Sequence, residues 1–323
     1  MRFVIHGAGA IGGSVGARLA EAGFEVVLIA RGRHLDAIQR DGLTFQTPVR
    51  RLVLRLPSAQ DPAELGVGDP DDVVLLATKS QDTAGALAQL RRAGASHVPL
   101  VCLQNGVENE RLALRVMDVV YGGVVMLPAA HLEPGEVLAY GARATGIVDV
   151  GRYPRGVDEL CDVVTAALAA SSFESRPRKN VMRLKYAKLV LNLGNAVEAL
   201  CGPGERSDEL TARARAEGRA VLTAAGIEFE DNDVGDLTGR WERIGVQPIG
   251  DRPRAGSSSW QSLARGTGAI ETDYLNGEIL LLGRLHGVPT PVNAALCEQA
   301  AQAVRRGAAP GELSVDEILA VAA

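Results

Sequence analysis

The chain has 323 residues, of which 46% are hydrophobic, enough to bury a substantial core and to suit about two domains. With 34 Lys and Arg against 39 Asp and Glu the formal net charge is -5, and aromatic residues make up 4%, so the composition argues against a nucleic-acid-binding protein. No stretch reaches the apolar length of a membrane span, and the N-terminus runs into a glycine turn rather than a signal peptide, so we expect a cytoplasmic protein that binds no membrane.

The cysteines and histidines show no pattern of a metal site. The four cysteines are Cys102, Cys161, Cys201 and Cys297. They are far apart and form no CxxC pair, which is typical of small buried side chains in a reducing compartment. The five histidines have no metal-ligand spacing. The sequence therefore predicts no bound metal.

The first part of the chain alternates short apolar runs with helical stretches. Residues 3–6, 25–29, 73–78 and 98–103 predict strands, and their continuous apolarity is typical of a parallel sheet covered on both faces. A helix that ends near residue 21 and helical stretches at 83–92 and 108–116 lie between these strands. The alternation predicts βαβ units.

The pattern changes between residues 119 and 153. Two shorter runs with glycine punctuation, at 137–140 and 145–150, predict an antiparallel extension of the same sheet. A helix at 157–170 and a final strand at 172–175 follow.

Strand signals end after Pro177. Residues 180–200 predict one long helix that stops at the Cys-Gly-Pro-Gly run of residues 201–204, and further helices follow at 209–225, 270–286 and 293–305. Residues 245–259 are rich in Gly, Pro and Ser and predict a loop. We therefore expect an α/β protein, with an N-terminal Rossmann-like doubly wound sheet in residues 1–176 and an all-helical C-terminal domain in residues 177–323.

A glycine-rich turn joins the first strand to the first helix. It reads Gly7-Ala8-Gly9-Ala10-Ile11-Gly12 and matches G-x-G-x-x-G in the strand–turn–helix context that the motif requires. Gly7 would make the tight turn, Gly9 would let the backbone approach a pyrophosphate, and Gly12 would let the helix pack closely on the strand. Amide N–H groups at the start of the helix would face the anion. The turn predicts a dinucleotide site in which these six residues bind the cofactor.

The second strand is followed by Arg31, with Arg33 and His34 close by. A site selective for NADH would carry Asp or Glu here to bind the ribose hydroxyls, whereas a guanidinium can contact a 2′-phosphate in a bidentate manner. The sequence favours NADPH/NADP as the cofactor. The alternative is that Arg31 is only a solvated loop residue.

Polar residues follow two further strands. Lys79 comes after the third strand and Asn105 after the fourth. Ligands of open α/β sheets bind beyond the carboxyl ends of the strands, so both residues are candidate ligands of the cofactor or the substrate. The alternative for Asn105, which precedes Gly106, is an ordinary turn and helix N-cap.

Polar residues also interrupt the apolar run of the long helix. Lys188, Asn192 and Asn195 have the spacing i, i+4, i+7, which places them on one helix face. They would form either a satisfied structural network or the lining of a cleft. A ketone reductase needs a proton donor at the carbonyl oxygen, and Lys188 or its rival Lys185 has a suitable proton. Spacing leaves that choice open.

Two later motifs also admit two interpretations. The serine run at residues 257–259 would supply hydroxyl groups to a carboxylate ligand or form a flexible loop. Glu271 opens a helix, where a carboxylate also serves simply to complement the helix dipole. Spacing alone favours the structural interpretation of both.

Taken in order, these motifs resemble the ketopantoate reductase (2-dehydropantoate 2-reductase) family over nearly the whole chain. The residues that carry the resemblance are the glycine turn 7–12, Arg31, Thr78-Lys79, Gln104-Asn105-Gly106, Lys188-Leu189-x-x-Asn192, Ser257-Ser258, Gln261 and Glu271-x-Asp273-Tyr274-x-Asn276-Gly277. The resemblance implies a Rossmann domain joined to a helical domain with the active site between them. It also implies reduction of a 2-oxo acid to a 2-hydroxy acid by NADPH, on the route to pantothenate and coenzyme A.

The resemblance assigns roles within the helical half. It identifies Lys188, rather than Lys185, as the catalytic proton donor, and it places Glu271 near both the cofactor and the substrate as a second catalytic and cofactor-binding residue. Asn192 and Asn195 correspond to the asparagines that bind substrate.

Further roles follow in the same way. Ser258 matches a substrate-binding serine that is anchored on Gln261. In the N-terminal half, Lys79 and Asn105 match positions that face the nicotinamide and the substrate, and Arg31 matches the 2′-phosphate ligand.

The chain departs from the family pattern at three places. The second helix asparagine is Asn195, where the family spacing would place it at Ala196; the usual Ser-Ser-Met-x-Gln-Asp ends in Ser262; and one extra residue separates Gln261 from Glu271. We therefore expect an altered substrate pocket. A paralogue acting on a different 2-oxo acid and a non-catalytic NADP(H)-sensing protein stay open as alternatives, and the sequence leaves the oligomeric state open, a homodimer included.

Overall fold

The computed structural model describes residues 1–229, 231–254, 256–266 and 268–322, without the side chains of residues 231–235. The chain divides into two compact units. The first, here called the sheet unit, comprises Met1–Met182 and Asp236–Arg254, and the second, the helical unit, comprises Arg183–Gly235 and Ala255–Ala323. A domain boundary between residues 176 and 177 stays a prediction.

The strands all lie in the sheet unit. In the described part of the chain they are β1 (Arg2–His6), β2 (Glu25–Ile29), β3 (Leu43–Gln46), β4 (Arg51–Leu54), β5 (Ser58–Ala59), β6 (Asp72–Leu76), β7 (Leu100–Cys102), β8 (Val120–Met126), β9 (Ala129–Ala130), β10 (Glu136–Ala139), β11 (Gly146–Arg152) and β12 (Phe173–Glu174). Eight of them form the main sheet in the order β12-β11-β8-β7-β6-β1-β2-β5. The remaining four form a second sheet in the order β4-β3-β10-β9.

The helices of the described ranges follow the same chain order. They are α1 (Ala10–Glu21), α2 (Gly32–Asp41), α3 (Thr83–Arg92), α4 (Asn109–Ala113), α5 (Glu159–Ala170), α6 (Val181–Asn192), α7 (Gly194–Cys201), α8 (Glu205–Ala224), α9 (Asp231–Ile244), α10 (Ser258–Ala264), α11 (Asn276–His286), α12 (Pro291–Arg306) and α13 (Val315–Ala322). None of them is both long enough and apolar enough to cross a membrane.

The main sheet is buried on both faces, as its continuous apolar strands require. Along β1, Phe3 and Ile5 belong to one apolar core, which includes residues of α1 and α5, while Val4 belongs to a second core with residues of α3. Strands β2, β1, β6, β7 and β8 are parallel. Helices on both faces of a parallel sheet make the doubly wound arrangement, so the predicted fold class is confirmed.

The predicted antiparallel extension is half right. Strand β11, predicted at 145–150, pairs antiparallel with β8 in the main sheet. Strand β10, predicted at 137–140, lies instead in the second sheet, where it pairs parallel with β3 and antiparallel with β9. Its principal partner lies about ninety residues earlier in the sequence, and a short strand carries no local signal of such a distant pairing.

Residues 236–254 return from the helical half of the sequence to the sheet unit. The guanidinium of Arg240, fully buried on α9, donates to the Asp149 carboxylate of β11 at 2.7 Å, and Arg178 donates to the same carboxylate oxygen at 2.9 Å. Farther along, Arg252 pairs with Glu136 at 2.9 Å. The buried Asp149 carboxylate, paired with two arginines, therefore holds residues 236–244 of α9 on the sheet unit. The composition of the sequence did not indicate this contact.

The predicted long helix is two helices. Helix α6 ends at Asn192, Leu193 lies in a turn, and α7 begins at Gly194. The apolar pattern of residues 180–200 continues through the break, because Leu193 is buried like its helical neighbours. Periodicity therefore could not reveal it.

Candidate active site

The glycine turn has the close contacts that the motif predicts. Gly7 has φ +107°, and a Cβ on it would lie 2.7 Å from the backbone nitrogen of Thr78. A Cβ on Gly12 would lie 2.1 Å from the carbonyl oxygen of Gly7. Both positions therefore exclude a side chain, since real Cβ atoms do not approach other atoms so closely.

Gly9 differs, because the space beside it is open. The nearest atom to a Cβ built there is Cδ2 of His131, at 4.0 Å. Gly9 is also the N-cap of α1, and no side chain caps the first amide groups of that helix. Uncapped N–H groups with open space beside them form an anion cradle, so these residues fit the pyrophosphate of a dinucleotide.

His34 has a structural contact with the turn. Its Nε2 lies 2.8 Å from the carbonyl oxygen of Ala8, and its Nδ1 accepts a hydrogen bond from the backbone N–H of Gly135 at 2.9 Å. Nδ1 must therefore be unprotonated and Nε2 must donate, which makes the ring neutral. Burial lowers the pKa of His34 in agreement with this state. The residue braces the turn against the segment between β9 and β10.

Arg31 stands at the end of β2, as predicted. It is the N-cap of α2, its side chain is 74% exposed, and its guanidinium donates to the carboxylate of Asp82 at 2.9 Å. An exposed ion pair of this kind contributes little stability, so the guanidinium can exchange Asp82 for a phosphate at small cost. The partner Asp82 was not predicted; it follows β6, which is the next strand but one from β2 in the sheet.

Lys79 and Asn105 follow β6 and β7, which are neighbouring parallel strands. Lys79 is the N-cap of a 3₁₀ turn, Ser80–Asp82. Asn105 precedes Gly106, whose φ is +76°, so a turn is present there. The alternative that Asn105 caps a helix is wrong, because the N-cap of α4 is Glu108. Both residues lie at the carboxyl edge of the sheet, where nucleotide ligands bind.

A network of buried polar side chains lies behind these loops, and the sequence did not predict its hydrogen bonds. Gln104 donates to Thr83 at 2.9 Å, and the hydroxyl of Thr83 donates to Asn109 at 2.7 Å. The amide of Asn109 in turn donates to the hydroxyl of Ser80 at 3.1 Å and to the carbonyl oxygen of Asn105 at 3.0 Å. The network ties the loop after β6 to the loop after β7 and holds the Asn105 backbone.

In the helical unit, Lys188 and Asn192 lie one turn apart on α6, and both are partly buried. Lys185, the rival proton donor, is buried. The Nδ2 atom of Asn192 is buried, and no hydrogen-bond partner for it exists among the residues that the structure describes. An unpaired buried amide is costly, which favours a ligand over a structural role for Asn192.

Asn195 is the second residue of α7, beyond the one-residue break at Leu193. Leu193 keeps helical dihedrals (φ −59°, ψ −25°) and its N–H donates to the carbonyl oxygen of Leu189 at 3.2 Å. The carbonyl oxygen of Asn195 accepts a hydrogen bond from Ser257 at 3.5 Å. The placing of the three polar residues on one face therefore stays a prediction.

The serine run forms the start of a helix rather than a loop. Ser257 caps α10 through the backbone N–H of Trp260, and its own N–H donates to Glu198 at 3.1 Å. Ser258 is the first residue of α10, and its carbonyl oxygen accepts from the Ser262 hydroxyl at 2.9 Å. Ser262 replaces the family aspartate, and its hydroxyl bonds back to the helix.

Gln261 is buried, and its amide donates to the carbonyl of Gly256 at 3.2 Å. It therefore secures the segment that precedes Ser258. The anchoring of Ser258 itself on Gln261, which the resemblance implies, stays a prediction.

Glu271 is 4% exposed and opens a 3₁₀ turn, Glu271–Tyr274, rather than an α-helix. The pKa of Arg265 is lowered by burial, and the charge of Glu271 acts against that shift, so the two side chains lie near each other. A carboxylate needed only for a helix dipole would be exposed, so burial favours a functional role for Glu271.

Two family models match the chain. The model described as "Ketopantoate reductase PanE/ApbA" matches residues 3–155, and "Ketopantoate reductase PanE/ApbA C terminal" matches residues 180–304. Among curated relatives, the 2-dehydropantoate 2-reductase of Pyrococcus horikoshii is 29% identical over 91% of this chain and 94% of its own. That of Mesorhizobium japonicum is 29% identical over 95% of this chain and 99% of its own.

Solved structures with similar folds include members of the same family. A PanE/ApbA family ketopantoate reductase from Ralstonia eutropha superimposes with a TM-score of 0.80 at 29% identity, covering 95% of this chain and 99% of that one. D-mandelate dehydrogenase, solved with NADH and anilino(oxo)acetate, has a TM-score of 0.78 at 23% identity, covering 99% of this chain and 100% of that one, and shares the fold. The two model matches together span most of both halves, and the chain belongs to the ketopantoate reductase family of NAD(P)-dependent oxidoreductases.

Proposed function

We propose that this protein reduces a 2-oxo acid with NADPH and that its substrate is ketopantoate. The observation that carries the proposal is the match to both family models, together with relatives of that activity over nearly the full chain. The open cradle at Gly9 supports a dinucleotide cofactor, and Arg31 after β2 supports the phosphorylated form.

Within the sheet unit, the backbone of the turn formed by residues 7–12 would bind the pyrophosphate through the first amides of α1. Arg31 would bind the 2′-phosphate in place of Asp82. Lys79 and Asn105 would lie toward the nicotinamide end, at the edge where their strands finish. When bound, NADPH supplies the hydride that adds to C2 of the 2-oxo acid.

Within the helical unit, Lys188 would donate a proton to the carbonyl oxygen of the substrate as C2 becomes tetrahedral. Glu271, buried and carboxylate-bearing, would stabilise the positive charge of the lysine before the transfer. The unpaired amide of Asn192 would donate to an oxygen of the substrate. Asn195 and Ser258 would provide further polar contacts to the carboxylate or hydroxyl group.

The direct test is NADPH consumption by the purified protein with ketopantoate, beside a panel of other 2-oxo acids. Ketopantoate should give the highest kcat/KM. If another 2-oxo acid is preferred, the protein is a paralogue with an altered pocket, to which Ser262 in place of aspartate would contribute. If NADPH binds and no 2-oxo acid is reduced, the chain is a nucleotide sensor and the proposal is wrong.

The variant Lys188→Ala tests the proton donor. Its kcat should fall by a factor of about 10² to 10⁴, while NADPH binds as tightly as in the wild type. Lys185→Ala is the matched control for the rival lysine. If Lys185→Ala loses turnover and Lys188→Ala does not, the assignment of the donor is reversed.

A further inference from the structure

The break between α6 and α7 lies among the residues proposed to act on the substrate. Asn192 is the last residue of α6, and Asn195 is the second residue of α7. Where a helix ends, its last carbonyl groups lose their intrahelical partners. Leu193, inside the break, is buried; its N–H donates to the carbonyl oxygen of Leu189 at 3.2 Å, and it is the N-cap of α7.

Side chains from two other elements bind these carbonyl groups. Arg215 of α8 donates to the carbonyl oxygen of Leu191 at 2.9 Å. Asn276, the first residue of α11, donates through Nδ2 to the carbonyl oxygen of Leu193 at 3.1 Å. Asn276 is fully buried. The break is therefore stabilised by specific donors and is not a frayed end.

Asn276 is itself held by a chain of hydrogen bonds. Its Nδ2 also donates to Oδ1 of Asn293 at 3.0 Å. The amide of Asn293 donates to Glu217 of α8 at 2.7 Å, and Glu217 accepts the backbone N–H of Val292 at 2.9 Å. Asn293 is fully buried as well. Both donors of the Asn276 amide are used, which fixes its orientation, while its Oδ1 is buried with no partner among the described residues.

Helix α8 also packs closely against the break. A Cβ on Gly218 would lie 2.6 Å from Cδ1 of Leu193, so α8 approaches the break to a distance that only glycine allows. On its other side, Asn276 follows directly after the 3₁₀ turn that begins with Glu271. Asn276 thus connects the segment that carries Glu271 with the turn that separates Asn192 from Asn195.

We propose that Asn276 is a positioning residue, whose amide holds the Leu193 turn and so fixes Asn192 and Asn195 relative to Glu271. The inference rests on the proposed function, since it gives these three residues their role toward the substrate. Loss of the amide would remove the hydrogen bond that joins α11 to the Leu193 carbonyl, so the turn would be held less tightly.

The experiment compares Asn276→Leu with a stability control in the same unit. Leucine has the same number and branching of side-chain heavy atoms as asparagine, although its methyl groups are bulkier, and it removes the donor. Ile318→Ala, at a buried position of α13, lowers stability by making a cavity and changes none of the side chains that bond to Leu191, Leu193 or Asn276. Glu217→Gln is a milder variant that removes one acceptor at the far end of the chain, and it replaces Asn276→Leu if that variant does not fold.

Three quantities are measured well below the unfolding temperature: kcat and KM for the 2-oxo acid, Kd for NADPH, and hydrogen–deuterium exchange of peptides covering residues 189–196. We expect Asn276→Leu to lower kcat/KM about ten- to a hundredfold, to speed exchange in those peptides, and to leave Kd for NADPH unchanged. Glu217→Gln should change the same quantities in the same direction by less, and Ile318→Ala should leave kcat/KM near the wild-type value.

Equal kinetic and exchange results for Asn276→Leu and Ile318→Ala would overturn the inference and leave the proposed function standing. A wild-type protein without turnover on any 2-oxo acid would instead overturn the proposed function and the catalytic part of the inference. Exchange would then still decide whether Asn276 holds the turn.

Discussion

His6 makes the stability of the sheet unit depend on pH. It is the last residue of β1, directly before the glycine turn, and it is 4% exposed. Burial lowers the pKa of His6 from 6.5 to about 4, although Gln89 and the charge of Asp61 act in the opposite direction. The ring is therefore neutral in the folded protein.

The direction in which stability changes with pH depends on whether the folded or the unfolded chain binds the proton at His6. Between pH 6.5 and pH 4 the unfolded chain protonates this histidine and the folded chain does not, so the free energy of unfolding falls as the pH falls. One pKa unit corresponds to about 1.4 kcal/mol, which gives a loss of about 2 kcal/mol at pH 5 and somewhat over 3 kcal/mol below pH 4. Above about pH 7 the contribution is constant.

The assay is urea unfolding of the wild type and of His6→Leu at a series of pH values between 8 and 5. Leucine cannot titrate, so the wild type should lose about 2 kcal/mol more than the variant over this range. Carboxylates titrate alike in both proteins and cancel in the difference. If the two proteins lose stability in parallel, His6 is charged or well hydrated in the folded state and the reasoning is refuted.

Three further predictions concern the cofactor site and the buried ion pair. Arg31→Ser should weaken NADPH binding about ten- to a hundredfold and NADH binding much less, measured by fluorescence titration, and an equal loss for both would contradict the assignment. Gly12→Ala should destabilise the fold severely because its Cβ would lie 2.1 Å from the Gly7 oxygen, whereas Gly9→Ala should fold normally and bind NADPH more weakly; thermal melts with and without NADPH distinguish them. Asp149→Ala should cost about 3–5 kcal/mol in urea unfolding because it leaves the buried Arg240 guanidinium without this partner, and a loss below 1 kcal/mol would argue against the pair.

The fold class could be predicted because local sequence encodes it. Strand β2 and helix α3 have the predicted bounds, and the glycine turn lies where its motif requires. These elements depend on apolar period and turn chemistry, both of which act over a few residues. The second sheet and the return of residues 236–254 to the sheet unit depend on pairings between distant segments. Arg240 has no local feature that distinguishes it from a surface arginine of an amphipathic helix.

The residues of the candidate site that follow the ends of strands could be predicted from the sequence. Lys79 and Asn105 follow strands, and position alone made them candidates. Asn276 and Asn293 are different, because both lie in the first turn of a helix. Asparagine is common near helix starts for capping, so its presence there does not indicate a further role. Their contact across 17 residues becomes visible only when α11 and α12 are packed together. The break at Leu193 is hidden for the same reason, because its donors come from other helices.

The central claim is that this protein transfers a hydride from NADPH to C2 of a 2-oxo acid. The most direct measurement is mass spectrometry of the product formed from ketopantoate and NADPH deuterated at both C4 positions of the nicotinamide. The account predicts a 2-hydroxy acid that carries one deuterium at C2, and no such product from Lys188→Ala in the same time. Unlabelled product, or no product from the wild type, would contradict it.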